Sequence, residues 1–195
     1  EALPKALRVL NARGEEPVMV AKSREHAKKL LAERTDPDTS AKVNKTKIDK
    51  LEKPELNAEQ LDAVAQLANA KGFNPFLIYG VTGSGKTEVY LHTVEERLKR
   101  GEQVLVLLPE INLTPAAQAL YKERLAPHRV VVMHSNLAEL TRTKAWFEAA
   151  TGAADVIIAT RLGVLTPLPR LGMIVVDEEH DPSYKQQDGM RYHAR

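Results

Sequence analysis

From Asn57 onward, apolar positions follow two rhythms in alternation. Helical spacing marks "NAEQLDAVAQLANAKG", "KTEVYLHTVEERLKRG", "TPAAQALYKERLA" and "LAELTRTKAWFEAATG". Asn57 is placed to cap the first of these, with Glu59 and Gln60 in its opening turn. Pro115 stands at the first position of the third. Between the helices lie short, nearly unbroken apolar runs: "FLIYG", "QVLVLLP", "RVVVMHS", "DVIIAT" and "LGMIVVDEE". Such runs read as strands, and strands apolar on both faces belong to a sheet covered on both sides. The alternation predicts an α/β fold: a parallel β-sheet flanked by helices, over residues 54–195.

Residues 1–53 have a different rhythm. "LPKALRVLNARG" puts Leu3, Leu7 and Leu10 on one helical face and ends at Gly14. "SREHAKKLLAER" offers Ser23 as a cap, with Ala27, Leu30 and Leu31 on one face. "TDPDTSAKVNKTKIDKLEKPE" is polar and Lys-rich, and reads as a wing-like hairpin or a linker. The expectation is a small helical segment, either a partial winged helix or a helical appendage without DNA contact.

Composition changes this picture little. A hydrophobic fraction of 43% over 195 residues suits a globular chain. No apolar run approaches the roughly 18–20 residues that span a bilayer, and no signal-peptide pattern is present. The absence of cysteine excludes disulfides and thiolate metal sites within this sequence. The net charge of +2 hides an asymmetry: residues 1–53 hold 13 Lys and Arg against 9 Asp and Glu. An excess of that size is commonly a solvated face.

Two stretches carry chemistry. "GVTGSGKT" comprises Gly80, Val81, Thr82, Gly83, Ser84, Gly85, Lys86 and Thr87. It satisfies every fixed position of G-x-x-x-x-G-K-[ST], after an expected strand and before an expected helix. Glycines let backbone N–H groups converge on phosphate, Lys86 reaches the β- and γ-phosphates, and the Thr87 hydroxyl takes Mg²⁺. In "MIVVDEEH", Asp177 and Glu178 follow the carboxyl end of a strand, the edge where open α/β sheets bind ligands. Asp177 is the expected partner of Thr87 in holding Mg²⁺, and Glu178 the group that activates water. His180 is open to two readings, a surface residue or a relay between the nucleotide and another site.

Together with "PEINLTP" and "ATRLG", these motifs resemble those of superfamily 2 helicases, with a RecA-like P-loop NTPase lobe. "GVTGSGKTEVYL", "MHSNL", "DEEHDPSYKQQDGMRYHAR" and the upstream "LNAEQ" are most similar to the bacterial primosomal replication-restart helicases, the PriA family. The resemblance covers residues 56–195 almost continuously. It implies a 3′-to-5′ DNA helicase using ATP and Mg²⁺ in the cytoplasm, acting on single-stranded and forked DNA with primosome and single-strand-binding proteins. It implies that Gln60 reads adenine and that His180 couples hydrolysis to DNA. Thr114, Thr160 and Arg161 would lie on the single-strand track. Tyr184 and Tyr192 would stack on bases, while Lys185 and Arg191 attract the backbone. Where the family commonly carries tryptophan, this chain has Met190, a weaker stacking platform.

The chain is expected to be a monomeric piece of a longer helicase. It would lack the second lobe that supplies a transition-state arginine and the family's zinc site, and so be nearly inactive alone. Three other readings remain open at this point. A fork-reversal translocase resembling RecG would share the phosphate loop and acidic cluster. A P-loop kinase or nucleotide-gated scaffold would need no DNA track. A non-enzymatic DNA-binding module would leave the two motifs without a role.

Overall fold

The computed structural model describes residues 8–11, 54–81, 83–187 and 189–195. The expected helix over 23–34, the wing or linker over 35–53 and the phosphate-loop residue Thr82 lie outside the described residues. The chain divides into two units within one helix, between Thr93 and Val94.

In the first unit, Asn57 begins helix α1, Ala58–Asn69, as expected. The Asn57 side chain accepts the Gln60 N–H at 2.9 Å, and the Gln60 side chain accepts the Asn57 N–H at 2.9 Å. This reciprocal capping box satisfies two N–H groups that a helix start leaves without partners. Strand β2, Phe76–Tyr79, precedes the phosphate loop, and α2, Lys86–Lys99, follows it. Phe76 and Ile78 point toward Ala63 and Leu67 of α1 and Val89 of α2, while Leu77 and Tyr79 are exposed.

Two expectations fail here. Residues Arg8–Asn11 form a strand, β1, not part of a helix. β1 pairs antiparallel with β2, matching Val9 with Ile78 and Asn11 with Phe76. A lone helix of about a dozen residues is marginal in water, whereas pairing satisfies a row of backbone groups at once. The second is β2 itself. Its residues alternate between partly buried and exposed, and its partner is antiparallel, where a doubly covered parallel strand is expected.

The second unit carries the parallel sheet. Strands β3 (Gln103–Leu107), β4 (Val130–Met133), β5 (Val156–Ala159) and β6 (Leu171–Val176) lie in the order β4-β5-β3-β6. All three pairings are parallel. The inner strands β3 and β5 are buried throughout, as their unbroken apolar runs require. At the edge of this sheet, β6 exposes Leu171 and Ile174. Helix α3 spans Pro115–Arg124 and α4 spans Glu139–Ala150. Ala145 and Ala149, one turn apart on α4, meet Val131, Met133, Ile157 and Ala159 in the core. Small side chains there admit the helix close to the sheet.

A polar network holds the amino end of this sheet. Gln103 is fully buried, and its amide donates to the carbonyls of Ala149 (3.1 Å) and Ala154 (2.7 Å). Its amide oxygen accepts the Arg170 N–H at 3.0 Å. The Arg170 guanidinium donates to the carbonyl of Gly152 and to Asp155, and Arg129 makes a two-pronged pair with Glu148. Gln103→Ala strands the Ala154 carbonyl and the Arg170 N–H and removes one of the donors to the Ala149 carbonyl. It is expected to lower stability by about 2–4 kcal/mol, read as a shift in urea midpoint at unchanged slope. A loss under about 0.5 kcal/mol, typical of a surface site, would contradict the role given to this network.

Candidate functional site

The carboxyl edge of the four-stranded sheet gathers most of the candidate residues. Beyond the ladder proper, the Leu108 N–H donates to Ala159, Thr160 to Met133 and Asp177 to Leu107. These bonds carry the sheet one residue further before each chain departs. Asp177 is partly buried and Glu178 exposed. The Glu178 carboxylate lies 3.5 Å from the His180 ring. Glu178 has φ +49°, the left-handed region, which costs a residue other than glycine about 1–3 kcal/mol. A turn bond from the Asp181 N–H to the Glu178 carbonyl, 2.8 Å, holds the far side of that residue. The hydroxyl and backbone N–H of Ser183 hold the Asp181 carboxyl below its ordinary range.

After Asp181 the chain makes a short turn, Pro182–Tyr184, and folds into a hairpin. Lys185 pairs with His193 across it, the Gln186 N–H donates to Tyr192, and the Ala194 N–H donates to Tyr184. Met190 at the tip, Lys185, Arg191 and His193 are exposed. This is a basic finger with a thioether end.

Tyr184 contradicts the expectation. Its side chain is fully buried in the core among Leu107, Ala159 and Ala194, and offers no ring face to a base. The hydroxyl hydrogen is shared between two carbonyls, Asp177 at 2.6 Å and Leu107 at 3.0 Å. Burial, and then the carboxylates of Asp177, Asp181 and Glu178, push its pKa far above the usual phenol range. The group is therefore a neutral donor at any physiological pH. Tyr192 is also turned inward: it packs against the same core, with its hydroxyl enclosed.

The three candidate track residues also differ from one another. Thr114 caps α3, its hydroxyl accepting the Ala117 N–H at 3.2 Å, which Thr-Pro at a helix start foretells. Thr160 is 2% exposed and its hydroxyl is enclosed with no hydrogen-bond partner among the described residues, so it does not face an open track. Gly163 packs directly on the end of β5: a Cβ there would lie 2.3 Å from that of Ala159. Arg161 donates to the Gln186 side chain (2.7 Å) and to the Ser183 carbonyl (3.2 Å), and pairs with Glu110 at 3.4 Å. It clamps the finger to the turn at Glu110–Asn112. Glu110, Ser183 and Gln186 are the residues that sequence reasoning passes over. A polar side chain in a loop gives no local sign of which distant cation it meets.

The phosphate loop belongs to the first unit. The Lys86 ammonium donates to the Gly80 carbonyl at 3.1 Å. Gln60 is buried, and its amide donates to the Ser84 carbonyl at 2.8 Å, tying α1 to the loop. Gly85 has φ +83°, and a Cβ there would fall 2.5 Å from the Gln60 amide nitrogen. Glycine at this position serves both the turn and the approach. A cleft of ≈ 450 Å³ opens beside it, lined by Pro54, Glu55, Gln60, Ser84, Thr87 and Glu88 among others. The Gln60 amide has one N–H and one acceptor lone pair left after its bonds to Ser84 and Asn57.

The family model for DEAD/DEAH box helicases matches residues 57–195. The chain is 51% identical over 140 residues to the replication restart protein PriA of Haemophilus influenzae, covering 72% of this chain and 19% of that protein. It is 44% identical over 143 residues to the replication restart protein PriA of Synechocystis sp., covering 73% and 17%. For the Bacillus subtilis protein of the same name the identity is 42% over 120 residues, covering 62% and 15%. The chain thus spans less than a fifth of the length of these curated relatives. A family match that runs through both the phosphate loop and the acidic strand end is decisive: the chain belongs to the DEAD/DEAH box helicase family.

Proposed function

We propose that this chain is the ATP-binding lobe of a replication-restart DNA helicase, a 3′-to-5′ translocase that acts on single-stranded and forked DNA in the cytoplasm. Primosome and single-strand-binding proteins are the proposed partners, and the similarity to replication restart proteins supports the replication-restart part of this reading. The observation that carries it is the Gln60 amide at the cleft beside the phosphate loop. One remaining donor and one remaining acceptor on one amide match N7 and the 6-amino group of adenine.

In the reaction, Lys86 exchanges the Gly80 carbonyl for phosphate oxygens and offsets their growing charge. Glu178 orients the attacking water and takes its proton. Magnesium, when bound, neutralises phosphate charge. The Thr87 hydroxyl and Asp177 carboxylate are its proposed protein donors, hard oxygens of the kind it accepts alongside phosphate and water. Lys185, Arg191 and the Met190 tip of the finger meet the DNA strand, and Arg161 holds the finger in place.

The test uses the intact protein. Its ATP hydrolysis should rise when single-stranded DNA is added. Gln60→Ala should raise KM for ATP about tenfold, the worth of one bidentate contact, and raise KM for GTP much less, so that the preference for ATP over GTP falls. A KM for ATP that stays the same would overturn the adenine-reading role.

A further inference from the structure

The peptide between Asp177 and Glu178 lies between two fixed points of the acidic strand end, and the Tyr184 hydroxyl reaches its carbonyl. Upstream, the Asp177 N–H is fixed to Leu107 at 3.0 Å. Downstream, the Glu178 carbonyl is fixed by the Asp181 N–H at 2.8 Å. Between them, the Asp177 carbonyl has the Tyr184 hydroxyl at 2.6 Å. That peptide also sets the left-handed φ of Glu178, a conformation the backbone would leave if it were released.

We propose that Tyr184 is a positioning residue: its hydroxyl holds the Asp177–Glu178 peptide in the strained orientation that aims the Asp177 carboxylate at magnesium. The role acts through backbone and not through contact with DNA, since the ring is enclosed. It also gives the finger a mechanical route to the acidic pair. The Ala194 N–H at the base of the hairpin bonds to the Tyr184 carbonyl at 3.0 Å, so movement of the hairpin is felt by the same residue. Loss of the hydroxyl lets the peptide rotate, which turns Asp177 and Glu178 together.

The inference rests on the reading of Asp177 as a magnesium donor, and the experiment separates the two. Magnesium is titrated into the intact protein with a fluorescent non-hydrolysable ATP analogue, and single-stranded DNA affinity is measured alongside. Tyr184→Phe keeps the ring and removes only the oxygen. It should raise the magnesium concentration for half-saturation about tenfold and change DNA affinity less than about twofold. A Tyr184→Phe protein that loses DNA affinity at unchanged magnesium dependence overturns the proposal. So does one that changes neither, provided Asp177→Asn weakens the magnesium response. If Asp177→Asn leaves that response intact, the magnesium reading fails, and the proposal with it.

Discussion

Lys86→Ala in the intact protein is expected to cut DNA-stimulated ATP turnover by about 10³-fold or more, with fork binding retained. The magnitude follows from what the ammonium does. Lys86 is the first residue of α2, where a cation opposes the helix dipole and an acid would be more stable. Its place there makes sense when an anion shares the site. Its amine now rests on the Gly80 carbonyl, 3.1 Å away, a bond it gives up for phosphate at little cost. In the transition state negative charge spreads over the transferring group, and removal of a fixed positive charge is felt most at that moment. Turnover within about tenfold of the unsubstituted protein would remove the phosphate loop from the mechanism.

Glu178→Gln is expected to lower kcat by about 10²–10⁴-fold while nucleotide affinity changes little. The amide keeps the size of the side chain and its contact with His180, but cannot take a proton from water. Glutamine tolerates φ +49° no better than glutamate, so the strain at this position is the same in both proteins. Any loss of rate then reports the missing base and not a relaxed backbone. Single-turnover hydrolysis measured beside equilibrium nucleotide binding separates the two terms. A rate within about tenfold of the parent would assign the base to another group.

The elements that were legible from sequence are those with strong local signals. The Asn57 cap, Pro115 at a helix start and the runs of β3 and β5 each state their own conformation. The failures share a different cause. Arg8–Asn11 has a local helical pattern, but pairing with β2, more than sixty residues on, decides its state. Tyr184 sits in a polar stretch beside Lys185 and Gln186, which suggests a surface loop. Its hydroxyl reaches two carbonyls at the ends of β3 and β6, and no spacing within the loop reports them. Arg161 was legible as a cation at the working edge of the sheet. That it spends its guanidinium on Gln186 and Ser183 was not, because both partners are more than twenty residues away. The site is thus readable as a set of residue types, and its internal wiring only from the fold.

The Gln103 network has a consequence for how this lobe tolerates change. Its bonds join the starts of β3 and β6 to the end of α4 and the approach to β5, all at the amino end of the sheet. The strained backbone and the exposed carboxylate lie at the opposite end. Stability and chemistry therefore draw on different residues of the same strands. A lobe divided in this way can absorb substitutions along its working edge without unfolding, and so gives that edge room to explore new loop shapes.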